Sequence, residues 1–140
     1  MPGLLSAVTF LPAAGALALA FVPRGRERAL KSAGLGVSAA TLALALPLWL
    51  RFDPASADYQ FEEMARWLPG LGASYHVGID GISVLLVLLT TLLMPVALGS
   101  AWHAIEDRTK EFVMTMLLLE TGMVGVFVSL DLFLFYVFWE

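Results

Sequence analysis

The chain contains no cysteine, which excludes disulfides, thiolate metal ligands, iron–sulfur ligation and a thiol nucleophile from it. Its only histidines, His76 and His103, lie far apart and have no metal-ligand spacing. No glycine-rich phosphate loop follows a strand. Charge is also scarce. Asp, Glu, Lys and Arg make up 14% of the 140 residues, against about a quarter in an ordinary soluble domain. A formal net charge of −4 on so apolar a chain argues against nucleic acid as a partner. Any redox chemistry associated with the chain must therefore sit on another subunit.

What the sequence does contain is apolar runs: 59% of the residues are hydrophobic, and the charges collect between long blocks. Four blocks have the roughly 17–25 residues that cross a bilayer as helix, namely 4–22, 32–50, 81–104 and 112–130. A fifth begins at Leu132 and reaches only Glu140. The expected fold is all-α, a polytopic transmembrane bundle of four full helices and the start of a fifth. Residues 51–80 form the expected outer loop, lying on the membrane surface. The first block lacks a basic stretch before it and has its basic cluster after it, which argues against a signal peptide. A nine-residue helix cannot span a bilayer, so the 140 residues are expected to be the N-terminal part of a longer protein.

Arg24, Arg26, Arg28 and Lys31 fill the first connection, and Arg108 and Lys110 the third. The second mixes Arg51 and Arg66 with Asp53, Asp58, Glu62 and Glu63, and the fourth holds only Asp131. The positive-inside rule then places connections one and three in the cytoplasm and the N-terminus outside. Small residues at fourfold spacing, Ser32/Gly36/Ala40 and Thr121/Gly125/Ser129, are expected to be helix contacts. Pro95 interrupts the hydrogen bonding of the third segment and frees the carbonyl of Thr91. Trp49, Trp67 and Trp102 fit interfacial anchors.

Two acids fall inside apolar segments. Glu140 stands nine residues past Asp131, about 13 Å along a helix and close to the middle of a core about 30 Å thick. An unpaired carboxylate there costs roughly 3 kcal/mol on insertion scales, and such residues mark ion or proton movement. Glu120 reaches a similar depth in the fourth segment. It reads either as a neutral, hydrogen-bonded acid facing a neighbouring helix or as a proton-relay partner of Glu140. Asp80, before the third segment, is placed to cap that helix, and Gly78 and Gly81 allow a tight entry.

The run 75–83, Tyr-His-Val-Gly-Ile-Asp-Gly-Ile-Ser, resembles the entry to the third helix of the antiporter-like subunits of respiratory complex I. The run from Gly125 to Glu140, including Ser129-Leu130-Asp131-Leu132 and Phe138-Trp139-Glu140, resembles the junction of helices four and five in the same family. Both look most like the M subunits of the bacterial proton-pumping NADH:quinone oxidoreductase. The likeness is strong after Trp67 and weak before it.

The resemblance implies a fourteen-helix subunit with inverted five-helix repeats, in a bacterial inner membrane. It implies that Glu140 pairs with a lysine on a later helix, and that quinone reduction elsewhere shifts such pairs and drives protons. It gives Glu120 no role. Neighbouring antiporter-like and other membrane subunits of the complex are the implied partners. FMN, iron–sulfur clusters and quinone are implied in partner subunits, with none in this chain. The D subunit of a multisubunit sodium/proton antiporter shares these motifs, and a purely structural membrane subunit is a rival of another class.

Overall fold

A computed structural model describes residues 3–140. Five helices are present among the described residues: α1 (Leu4–Leu19), α2 (Glu27–Leu50), α3 (Gly81–Ser100), α4 (Thr109–Val128) and α5 (Leu132–Trp139). Three of them, α2, α3 and α4, are long and apolar enough to cross a membrane. The 16 residues of α1 fall short of that length, so the four full spans expected from the sequence reduce to three and a shorter apolar helix. The third segment also ends earlier than expected, at Ser100, and 101–104 form turns.

The all-α expectation needs a larger correction. Two antiparallel strands, β1 (Gln60–Leu68) and β2 (Ala73–Ile79), occupy most of the expected surface loop. A short 3-10 turn at Pro69–Leu71 joins them, and Gly72 completes it in the left-handed region at φ 70°. The physical reason lies in β2 itself. Ala73, Tyr75, Val77 and Ile79 alternate with Ser74, His76 and Gly78, the period-two pattern of a strand with one face buried. Val77 and Ile79 are fully buried in the core.

The hairpin fastens one end of the bundle. Gly3 at the start of α1 provides no side-chain cap. Glu63 of β1 takes that role, accepting from Ser6 N–H at 3.1 Å and from Ser6 Oγ at 2.6 Å. Tyr75 Oη shares the Ser6 hydroxyl at 2.5 Å. His76 Nε2 hydrogen-bonds the Glu62 carboxylate across the strands. The His76 carbonyl accepts from Leu130 N–H at 2.8 Å, and Val77 bridges Ser129. The hairpin therefore holds the start of α1 and the α4–α5 turn and runs directly into α3.

Lysines finish the other end. Lys110 donates to the carbonyls of Ala20 and Val22 just past α1, and Lys31 donates to that of Trp102 just past α3. Both satisfy carbonyls at helix C-terminal ends, where positive charge is favoured.

Two apolar clusters fill the bundle. One, at the hairpin end, includes Leu5, Val8, Leu48, Val87, Val124 and Val128. The other, at the far end, joins Ala16, Leu19, Leu30, Val113 and Leu117. In α2 the buried stripe is Leu30, Gly34, Ser38, Thr41, Ala45 and Leu48. The expected Ser32/Gly36/Ala40 stripe instead faces outward, and a Cβ on Gly36 would meet nothing within 4 Å. Gly34 makes the close approach, against Val113 of α4. The Thr121/Gly125/Ser129 stripe does lie at a contact, with Gly125 against the ring of Phe138.

Candidate functional site

Asp80 caps α3, accepting from Ile82 N–H at 3.1 Å and Ser83 N–H at 2.8 Å. These backbone bonds, the one from Ser83 foremost, hold its carboxyl below the usual carboxylate range. Asp131 caps α5 in the same way through Phe133 and Leu134, and its other oxygen accepts from Ser74 N–H and Oγ of the hairpin. Its carboxyl is also held low, first by the backbone bond from Ser74. Both acids are thus occupied at the bundle end. Pro95 lies inside an unbroken α3. Prolines also stand inside α1 (Pro12) and α2 (Pro47).

The two intramembrane acids sit in different surroundings. Glu140 is exposed and borders an open groove of about 670 Å³ between α4 and α5. Thr115, Leu118, Gly122 and Val126 of α4 and Val137 of α5 also line this groove. Glu120 has no exposed surface, and neither carboxyl oxygen has a hydrogen-bond partner among the described residues. At 100° per residue, Leu118 and Gly122 project about 160° round α4 from Glu120. The acids therefore share a depth but stand on opposite sides of one helix, facts that counting from the α4–α5 turn could not separate. The hydrogen-bonded partner expected for a neutral Glu120 is not among the described contacts.

Sequence reasoning missed the buried hydroxyls at the level of Glu120. The buried polar residues include Thr9, Ser38, Thr41, Thr90, Thr91 and Thr121. Thr9, Ser38, Thr41 and Thr121 lie between the two apolar clusters along their own helices, and Thr90 and Thr91 follow the α3 residues of the first cluster. Thr41 is seven residues past Gly34 and Glu120 seven past Val113. Because Gly34 meets Val113 and both helices run toward the hairpin, Thr41 and Glu120 are level. Thr90 and Thr91, nine and ten residues into α3, lie at about 14–15 Å from the hairpin end, and Glu120, eight before the end of α4, at about 12 Å. Measuring depth for Thr and Ser, and not for charges alone, would have found this layer. Pro12 marks it as well, because Ala13 N–H beside it donates to Thr121 Oγ1 at 2.9 Å across the α1–α4 contact.

No family model matches the chain. NADH-quinone oxidoreductase subunit M of Rhodobacter capsulatus is 48% identical over 144 aligned residues, covering 100% of this chain. NADH-ubiquinone oxidoreductase chain 4 of Arabidopsis thaliana is 40% identical over 136 residues, covering 97% of this chain. The chain is a homologue of the subunit M and chain 4 family. Subunit M of Mycobacterium tuberculosis (strain H37Rv) is 35% identical, again over 97% of this chain. The chain spans 28–30% of the length of these relatives. With three apolar helices of spanning length, it fits a membrane protein.

Proposed function

We propose that the chain forms the first part of a proton-translocating membrane subunit of NADH:quinone oxidoreductase, with Glu140 as its functional charge. The observation that carries this reading is the placement of Glu140 at mid-bundle depth on an open apolar groove. An ionised carboxylate there needs a cationic partner to offset its desolvation. A lysine from a later helix, as the family resemblance implies, supplies that charge. The pair keeps both groups ionised, and opening or closing it changes the affinity for a proton at neighbouring charges.

The hairpin end is the outer face and the Arg24–Lys31 end the cytoplasmic face of a bacterial inner membrane, by the Lys and Arg distribution. The partners are the other membrane subunits of the complex, above all neighbouring antiporter-like ones. With no cysteine, this chain has no thiolate ligands for an iron–sulfur cluster, and FMN and quinone are likewise proposed for partner subunits. Those centres belong to partner subunits, and no step here runs through them.

Affinity purification of the full-length protein from its own membranes tests this. Co-purifying flavin- and iron–sulfur-containing subunits with NADH-dependent quinone reduction support the reading. Co-purification with only other antiporter-type membrane subunits, together with sodium-driven exchange, would move the chain to the multisubunit sodium/proton antiporters.

A further inference from the structure

We propose that Asp131 and Ser74 are positioning residues for Glu140: their contact ties the start of α5 to β2 and fixes how that helix is turned. The use of that position in proton translocation rests on the reading of Glu140 above, but the tie itself stands on contacts within the fold. Asp131 gives its two carboxyl oxygens to different partners. Oδ1 caps α5, accepting from Phe133 N–H at 2.9 Å and Leu134 N–H at 3.2 Å. Oδ2 reaches out of the helix and accepts from Ser74 N–H at 3.1 Å and Ser74 Oγ at 3.2 Å. Next to it, Leu130 N–H donates to the His76 carbonyl at 2.8 Å. Ser74 and His76 are two apart, so their backbone groups point to one edge of β2, the edge away from β1. The α4–α5 turn is pinned along that edge.

α5 needs such a tie. Of its eight residues only Leu134 is buried and Phe138 half-buried, and the other six are exposed. A helix held by so few side chains turns or slides unless its ends are fixed. Glu140 inherits any such movement. The helical bonding runs without a break from Phe135 N–H on the Asp131 carbonyl, at 2.9 Å, to Glu140 N–H on the Tyr136 carbonyl, at 3.0 Å. A slip of one residue at the cap turns Glu140 by about 100° round α5 and moves it about 1.5 Å along it.

β2 also reaches the far end of α5. The ring of Tyr75, the residue after Ser74, lies 6.3 Å from that of Phe10 in α1, and Phe10 lies 5.9 Å from Phe138. Both separations suit attractive ring contacts. Tyr75 Oη is itself held at Ser6 Oγ. Consecutive residues of one strand thus hold α5 at its cap and, through Phe10, two residues before Glu140. Two fixed points set both the height and the rotation of a rigid helix.

Asp131→Asn separates the cap from the tie. Its amide oxygen can still accept from Phe133 and Leu134 N–H, while its amide N–H groups then face the two donors of Ser74. Ser74→Val deletes the hydroxyl, and Ser74→Thr keeps it. Asp80→Asn is the control, because Asp80 Oδ1 caps α3 as Asp131 Oδ1 caps α5. The full-length subunit in its purified complex, reconstituted in vesicles, gives two readouts. One is the distance between spin labels at Tyr136 of α5 and Leu89 of α3, both exposed. The other is protons translocated per quinone reduced. Asp131→Asn and Ser74→Val should shift or broaden the distance distribution by about 2 Å or more and at least halve the proton ratio of the assembled complex. Ser74→Thr and Asp80→Asn should match wild type in both. A contact that only stabilised the fold would lower the yield of complex and move neither readout. An unmoved distance in Asp131→Asn and Ser74→Val, or an equal shift in Asp80→Asn, overturns the tie. A moved distance with a full proton ratio overturns its service to Glu140 where Glu140→Gln abolishes the ratio. If Glu140→Gln translocates as wild type does, the reading of Glu140 has failed instead, and the distance alone decides whether Asp131 and Ser74 position α5. Should Asp131→Asn not assemble, Ser74→Val against Ser74→Thr decides in its place.

Discussion

Gly125 sets how closely α5 lies against α4, and hence where Glu140 sits. A Cβ at residue 125 would fall 2.6 Å from Cε1 of the Phe138 ring and closer still to Cγ and Cδ1. The ring must turn or α5 must move. Adding a methyl group to a packed contact of this kind costs about 1–3 kcal/mol. Gly36 of α2 is the matched control, because a Cβ there meets nothing within 4 Å. At an open helical site, Gly→Ala gains about 1 kcal/mol in helix propensity. The propensity gain applies to both helical sites and cancels, so Gly125→Ala and Gly36→Ala should differ by the packing cost alone, about 1–3 kcal/mol in stability. Denaturant unfolding of the full-length protein in detergent measures the difference. Phe138→Leu should recover a large part of the Gly125→Ala loss, and a double-mutant cycle isolates that coupling. Glu140 lies two residues beyond Phe138, so activity should fall further than stability. A displacement of 1 Å at a reacting group can cost about a hundredfold. Equal tolerance of the two alanines, or no recovery with Phe138→Leu, would refute this account of the α4–α5 contact.

Other outcomes follow from the bundle ends. Asp80→Ala should destabilise the protein by about 1 kcal/mol through loss of the α3 cap, read in the same unfolding assay. The Asp80 and Asp131 carboxyls are held low in the folded state, so the stability they contribute is present above the unfolded carboxylate range near pH 4 and is lost as pH falls further. Unfolding midpoints from pH 6 down to 3 should show that loss, reduced in Asp80→Ala. The Tyr75 phenol is raised by burial, so its contribution is intact below about pH 10 and disappears as pH rises through the folded value. Difference absorbance between wild type and Tyr75→Phe should place its ionisation above that of exposed tyrosines.

Much of the bundle was legible because apolar length and flanking charge act locally. The limits of α2, α3 and α4 follow from those signals to within a few residues, apart from the early start of α2 at Glu27 and the early end of α3 at Ser100. The Asp80 cap was legible because a cap is a contact within one turn. The hairpin was missed because turn residues at 69–72 drew attention from the alternation in 73–79. The contact stripe of α2 was misplaced by two residues, since Gly34 and Gly36 look alike until a partner, here Val113, selects one. Depth along a helix could be counted for Glu120 and Glu140. Which side of α4 each acid occupies depends on how five helices pack, and no single segment encodes it.

The most direct test of the account is Glu140→Gln in the full-length gene, assayed as NADH-driven acidification of inverted membrane vesicles, with assembly and quinone reduction followed in parallel. Glutamine keeps the size and polarity of the side chain but removes its charge. The account predicts an assembled complex whose acidification is lost. An assembled Glu140→Gln complex that acidifies as wild type does would contradict it and leave Glu140 as a tolerated polar residue in a structural subunit.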